Sequence, residues 1–350
     1  MSSAGRWTVG LERLCDAARL RRTRDRPPAD FRIEAYVAHG GAETVVVRAR
    51  VVDDPLPTEA VEGEGPVAAL RRTLRHFVTD ELPGVRLRVR VGDAEVSTVS
   101  DGDGYVFCHL PAAGLTSPWT EGVLELDRPY RGVTAPHTTP VRVRVPGPGA
   151  RFGVLSDVDD TVIETGVQRL GAMLRRTLTG SALTRTAFPG AAELYRDLAA
   201  GRDGAETNPV FYVSSSPWNL HAFLVAFLRH RGFPAGPVLL RDLLGTRAGR
   251  EQKHGRIREV LATHPQLPFV LIGDSGEHDP QIYADVVAEH PDRVLAVYIR
   301  EVRLDPGDGR VETVSDRWPH PQVPFVLAAD SAAVRRHAAS IGLLPHGTPA

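Results

Sequence analysis

Cysteine is nearly absent: the 350-residue chain holds only Cys15 and Cys108. The two stand far apart and form no metal-type spacing, which argues against a disulfide framework or a thiolate zinc site and points to a reducing compartment. An excess of either charge is also lacking. Lys plus Arg number 42 against 43 Asp plus Glu, so no global field draws the chain toward nucleic acid or an anionic membrane. Any preference for a polyanion has to come from a local patch. No stretch approaches the roughly 18 consecutive apolar residues of a membrane span. The opening MSSAGRWTVGLERL has no apolar core of a secretory signal. Internal repeats and long low-complexity segments are missing too. These absences set the expectation of a cytoplasmic protein with no nucleic-acid partner and no transmembrane segment, in contact with membranes only peripherally if at all.

What is present suffices for packed cores: 42% of the residues are hydrophobic, and the length suits two domains. In residues 1–30, LERLCDAARLRR carries Leu11, Leu14, Ala18 and Leu20, spaced as a short helix or a frayed tail. From residue 31 the hydrophobic period becomes two. RIEAYVA, TVVVRARVV, VRLRVRV, VLELDRP and VRVRV read as strands, several half buried. In VRLRVRV, Val85, Leu87, Val89 and Val91 face a core while Arg86, Arg88 and Arg90 face out. The stretch from 93 to 104 reads as turns, and PVAALRRTLRHFVTDEL as a helical insert. The expectation for 31–146 is a β-sandwich.

At 146–149 the sequence PGPG breaks all periodicity and marks a domain boundary. Over 150–342 near-continuous apolar runs (FGVL, VFYV, FVLI, VLAVYI) alternate with amphipathic stretches such as AAELYRDLAA, LHAFLVAFLRHR and GRIREVLATH. That grammar predicts α/β architecture, a parallel sheet covered on both faces. Ligands of such sheets bind at the carboxyl ends of the strands, where DVDDT, SSS and GDSGEHD follow three of the runs.

Carboxylates converging from two strands repel one another unless a proton or a cation intervenes, and oxygen ligands without His or Cys suit Mg²⁺. Asp157, Asp274 and Asp279 are the candidate ligands. A carboxylate can also attack phosphorus and form an aspartyl phosphate. Asp157 stands in place for that, and Asp159, on the same side if the extended backbone continues, can protonate the leaving alkoxide and then activate water. Ser214 offers a hydroxyl and an amide to phosphoryl oxygens, and SPWN suggests a helix capped by Ser216 with Pro217 in its first turn. Lys253 can neutralise the nucleophile and the transferred group.

In that order, Asp157-x-Asp159-x-Thr161, Ser214, Lys253, and Gly273-Asp274 with Asp279 resemble the four motifs of the haloacid dehalogenase (HAD) superfamily of phosphatases. More narrowly, SDVDDTVIETGV, FYVSSSPWNL, KHGRI and LIGDSGEHDPQIY are similar to the actin-patch-associated, Mg²⁺-dependent phosphatidate phosphatases and their bacterial relatives. The stretch from LRRTLRHFVTDEL to SDGDGYVF is similar to the β-rich module preceding the catalytic domain in those relatives. The resemblance implies a Rossmann-like, doubly wound catalytic domain with a small cap. It implies Asp157 as nucleophile and metal ligand, and Asp159 as acid/base in the metal site. It gives Ser214, with Ser215 beside it, and Lys253 as phosphate holders, Asp274 and Asp279 as metal anchors, and Mg²⁺ as cofactor.

Each residue also has a plain reading. Any of Ser214, Ser215 and Ser216 can be a helix cap, Lys253 an ordinary surface lysine, and Asp279 the cap of a helix beginning near Pro280. His221, His254 and His278 lie near the motifs without a spaced partner, as surface or supporting groups do. Between the first two motifs, Val167, Leu170, Leu174 and Leu178 recur at helical spacing. The arginines Arg169, Arg175, Arg176 and Arg185 belong either to a helix lying on the core or to a cap that meets a phosphorylated surface or lipid head group. The leading expectation is hydrolysis of phosphatidate or another phosphomonoester. A phosphatase for a small phosphometabolite or phosphoprotein, and an adaptor that binds lipid or protein through the β module, are the alternatives.

Overall fold

The computed structural model describes residues 26–54, 80–134, 136–158, 188–202, 207–241, 249–275, 278–301, 314–316 and 318–345. The expected helix within 1–30, nearly all of the insert at 66–82, Asp159 to Thr161 and the arginine-bearing segment with Arg169, Arg175, Arg176 and Arg185 lie outside the described residues.

The first half supplies nine strands: β1 (Phe31–Ala35), β2 (Ala38–Gly40), β3 (Thr44–Asp53), β4 (Asp80–Glu81), β5 (Arg86–Val91), β6 (Ala94–Val99), β7 (Tyr105–Pro111), β8 (Trp119–Leu126) and β9 (Thr138–Arg144). They form one sheet in the order β1-β3-β2-β9-β8-β5-β6, with β4 and β7 also paired to β3. Pairing is antiparallel apart from β2 with β9. The sheet curls until β6 lies beside β7, enclosing a core that includes Val47, Val51, Leu87, Val89, Val106, Leu124 and Val141. In β5 the alternation is as expected: Leu87, Val89 and Val91 are buried and Arg86 and Arg90 exposed.

Two expectations need correction. The stretch 93–104 is not all turn, because β6 occupies its first half as the hairpin partner of β5. The end of the expected helical insert is extended instead: Asp80 and Glu81 pair with Asp53 and Val52. Strand β3 is covered from Val45 to Val52, including Arg48 and Arg50; both of its edges are paired, and the two arginines meet Glu259 and Glu81.

The second half adds β10 (Gly153–Ser156), α1 (Ala191–Ala200), β11 (Val210–Pro217), α2 (His221–His230), β12 (Val238–Arg241), α3 (Gly249–Thr263), β13 (Phe269–Asp274), α4 (Asp279–Glu289), β14 (Val294–Arg300), β15 (Phe325–Ala328) and α5 (Ser331–Ser340). All six strands pair in parallel, in the order β12-β11-β10-β13-β14-β15. The apolar runs are continuous because each face of the sheet meets helices. Val154, Val210, Tyr212, Val270 and Tyr298 pack into one core with Leu194, Leu198, Leu224 and Phe227 of α1 and α2. Their neighbours Leu155, Phe211, Val213, Leu271 and Val297 pack into another with Ile257, Val260, Ile282 and Val286 of α3 and α4. The fold is thus mixed α/β, and β11, β10 and β13 stand side by side with their carboxyl ends on one rim.

Candidate active site

At that rim Asp157 follows β10, and its amide donates to the carbonyl of Ile272 at 2.8 Å, continuing the pairing with β13 past the last strand residue. Asp274 ends β13 and Asp279 opens α4; all three carboxyl side chains are fully buried. Oxygens of Asp157, Asp274 and Asp279 lie within 4.8 Å of one another. Lys253, on α3, reaches the same point. Its Nζ donates to Asp157 Oδ1 at 2.6 Å and also to Asp279 Oδ1.

Buried carboxylates at this separation repel strongly unless compensated. Among the described residues that form the cluster, one ammonium meets three carboxylates. The donor set is all oxygen and includes no His or Cys, which suits a hard divalent cation such as Mg²⁺.

Local structure explains why the residues sit here. Gly273 is needed by close approach: a Cβ on it would lie 2.5 Å from Asp279 Oδ2 and 2.8 Å from a ring carbon of Tyr283. The Asp279 carboxylate also accepts from the Asp274 amide at 3.4 Å. It does not cap α4, whose N-cap position is His278 with no side-chain cap. Two tyrosines brace the strand ends, in roles that no local pattern signals. Tyr283 donates to the Ile272 carbonyl at 2.8 Å. Ser156 gives its one hydroxyl proton to the Asp157 carbonyl at 2.6 Å, so the Tyr195 hydroxyl, 2.5 Å from Ser156 Oγ, is the donor to Ser156. Burial raises the pKa of both phenols, which keeps them neutral donors.

Ser214, Ser215 and Ser216 do not begin a helix. They belong to the bulged end of β11, where three residues between Val213 and Pro217 face one on β12 between Leu239 and Arg241. Bulges re-aim side chains next to functional sites. Ser214 Oγ accepts from the Ser216 amide at 2.9 Å. The 3-10 turn that follows, Trp218–Leu220, has Pro217 rather than Ser216 at its N-cap position.

The structure therefore brings together Asp157, Lys253, Asp274 and Asp279, with Ser214 and Ser215 ending the strand next to β10. Asp159 and the cap arginines Arg169, Arg175 and Arg176 lie outside the described residues. Of the nearby histidines, His278 is exposed, His254 faces Glu289 at 3.3 Å, and His221 packs on Tyr36 with ring centroids 4.2 Å apart. The Asp157–Asp274–Asp279 group found among the described residues includes none of them.

A parallel α/β sheet with buried carboxylates and a lysine at its carboxyl rim defines the class: an α/β protein with an acidic, cation-suited site. Comparison with known proteins narrows it. Residues 152–301 match the family described as "Phosphatidate phosphatase APP1, catalytic domain", a segment that contains Asp157, Ser214, Lys253, Asp274 and Asp279. Over that segment the resemblance to the phosphatidate phosphatase family is borne out. The chain is 30% identical over 186 residues to the phosphatidate phosphatase APP1 of Saccharomyces cerevisiae, covering 51% of this chain and 30% of that protein. It is 30% identical over 163 residues to an uncharacterised protein of Schizosaccharomyces pombe, covering 44% of this chain and 26% of that one. The chain thus spans less than a third of the length of these two curated relatives. A crystal structure of a carbohydrate acetylesterase from Xanthomonas citri aligns over 85% of this chain and 68% of its own at 14% identity and a TM-score of 0.31, a likeness that carries no argument. No helix among the described residues is long and apolar enough to cross a membrane.

Proposed function

We propose that the chain is a Mg²⁺-dependent phosphatase that hydrolyses phosphatidate to diacylglycerol and phosphate. The observation that carries the reading is the buried triad of Asp157, Asp274 and Asp279 joined to Lys253, inside the segment that matches the phosphatidate phosphatase catalytic domain. In this reading 150–342 is a catalytic domain of the HAD type, doubly wound, with a small cap contributed by the segment after Asp157. Residues 31–146 are a sandwich-like module, two halves of one curled sheet facing each other.

Asp157, kept ionised by the Lys253 ammonium, attacks phosphorus; its oxygen–phosphorus bond forms as the ester oxygen–phosphorus bond breaks, leaving an aspartyl phosphate. Asp159 gives a proton to the departing glycerol oxygen, then takes one from the water that attacks the same phosphorus, releasing inorganic phosphate and restoring Asp157. Ser214 and Ser215, with backbone amides of the β11 bulge, donate to the phosphoryl oxygens, and Lys253 balances the charge spread over them. Mg²⁺, held by Asp157, Asp274 and Asp279 with Asp159 nearby, would supply positive charge against the carboxylates and the phosphate. Arg169, Arg175 and Arg176 would meet the anionic head group or the membrane surface that presents it.

The test is phosphate release from phosphatidate in mixed micelles, compared with sugar phosphates and nucleotides, with Mg²⁺ and with EDTA. Phosphatidate should be the fastest substrate, EDTA should abolish turnover, and Asp157→Asn should lower it by about 10³-fold or more. Full activity in Asp157→Asn would falsify the mechanism. Faster turnover of a soluble phosphoester would overturn the substrate while keeping the chemistry.

A further inference from the structure

Charged side chains are seldom buried unless paired, yet the curled β sheet buries Arg48, Arg144 and His39. Arg48 and His39 find charged or polar partners in the other half of the chain, and Arg144 reaches across as well as bonding within its own half. Arg48 of β3 forms an ion pair with Glu259 on α3. His39 of β2 stands 3.8 Å from the other oxygen of the same carboxylate, and its Nδ1 is 3.3 Å from Nε2 of His264, just past the end of α3. Between β2 and β3, Gly41 lies against the same helix end: a Cβ there would sit 1.8 Å from the Thr263 carbonyl oxygen. Arg256, one turn before Glu259, adds a second positive charge at 3.7 Å.

The second line of contact meets the serine strand. Tyr36 stacks on Trp218, with centroids 4.8 Å apart and planes at 7°, immediately after the Ser214–Ser216 bulge. At the other end of β11, Arg144 donates to the carbonyl of Asn208 at 3.2 Å. The Asn208 side chain in turn ties Arg151, ahead of β10, to Leu198 of α1.

The contacts at Glu259 and Thr263 fall on α3, which carries Lys253, and those at Asn208 and Trp218 flank β11, which carries Ser214. Glu259 and Lys253 share α3, six residues and about 9 Å apart along a rigid axis. A shift of the helix at Glu259 is therefore a shift of Lys253 Nζ against Asp157. A module that only tethered the chain to a surface would need none of these buried polar contacts. We infer that the N-terminal β module is a positioning part of the active site. Arg48 and His39, through Glu259 and His264, set the placement of α3 and hence of Lys253, while Tyr36, through Trp218, sets the end of β11. This deepens the phosphatase reading and rests on it where Lys253 is taken to hold phosphate.

The experiment uses the full chain. Arg48→Met should raise amide hydrogen exchange along residues 252–263, weaken inhibition by inorganic phosphate, and lower kcat on phosphatidate by about 10- to 100-fold, the scale of a small misplacement at a site. Arg48→Lys should recover part of each. Glu259→Gln, which keeps shape and hydrogen-bonding capacity, should show the same pattern more mildly and serves if Arg48→Met does not fold. The control is Ser100→Ala, which removes hydrogen bonds to Leu82 and Val85 inside the module and touches nothing on α3. It should lower Tm while leaving kcat and α3 exchange within about twofold. Unchanged exchange and phosphate inhibition in both interface variants would overturn the inference. So would a loss of kcat in Ser100→Ala equal to theirs at the same loss of Tm. If Lys253→Met turns over phosphatidate like the parent, the phosphate-holding role fails separately, and the exchange data still decide whether the module holds α3.

Discussion

Lys253 Nζ stands 2.6 Å from Asp157 Oδ1, an ion pair buried at both ends that joins residues 96 positions apart in the chain. Its second bond, to Asp279, makes the lysine the bridge between the strand that would carry the nucleophile and the helix that would help hold the metal.

Removing that bridge takes a buried positive charge away from buried carboxylates. Lys253→Met should destabilise the fold by about 3–5 kcal/mol in EDTA, the usual penalty for breaking a buried pair. Mg²⁺ should restore more stability to this variant than to the parent, because the cation takes over the balancing charge. Tm measured against Mg²⁺ concentration checks this; equal Mg²⁺ responses would sink it.

Gly273→Ala should be poorly tolerated for a reason unrelated to backbone freedom. The added methyl would meet Asp279 Oδ2 at 2.5 Å and Asp279 Cβ at 2.8 Å, so either α4 or the carboxylate has to move. About 1–3 kcal/mol of stability should be lost, as in overpacked cores, along with Mg²⁺-dependent protection against urea unfolding. Urea titrations with and without Mg²⁺ read both effects.

The interface between the module and the second half should be acid-sensitive. Burial lowers the pKa of His39, against the upward pull of Glu259, and lowers that of His264 with help from His39 and Arg293. His221 is pushed down to about 3 by burial. All three are neutral in the fold and bind protons more readily when unfolded. Their contribution is fully present above the unfolded pKa of about 6.5 and is lost as pH falls toward the folded values, by up to about 1.4 kcal/mol per pH unit for each. Glu259 acts in the same direction at lower pH. Burial raises its pKa, but the neighbouring His39 and the Arg48 charge outweigh that and hold it at about 2, so its share is present above about 4.5 and lost as pH falls toward 2. Tm should therefore drop between pH 7 and pH 5, and His264→Gln should flatten that slope. A flat profile in the parent would contradict the assignment.

Much of the second half was legible because its signals are local. Runs such as VFYV and FVLI announced strands covered on both sides, and the acidic and serine clusters stood directly after them. The first half was read less fully. In β3 the pattern TVVVRARVV marked a strand, and nothing within nine residues reveals that Glu259 and Glu81 wait opposite Arg48 and Arg50. The β11 bulge was missed for a similar reason. SSSP has the composition of a helix start, while pairing with β12 draws it into extended backbone.

By itself the sequence determined which residue types stand at which strand ends, and hence that carboxylates, serines and a lysine were available for phosphoryl chemistry. Only the tertiary structure decided that Asp157, Lys253, Asp274 and Asp279 meet at one point. It also decided that Tyr283 and Tyr195 hold the strands beneath them, and that His39, Gly41 and Arg48 lie against the helix bearing Lys253. The physical reason is range. Periodicity and capping act over a few residues, whereas these contacts depend on the non-sequential order β11-β10-β13 and on the packing of α3 between that sheet and the curled one, which no local pattern encodes.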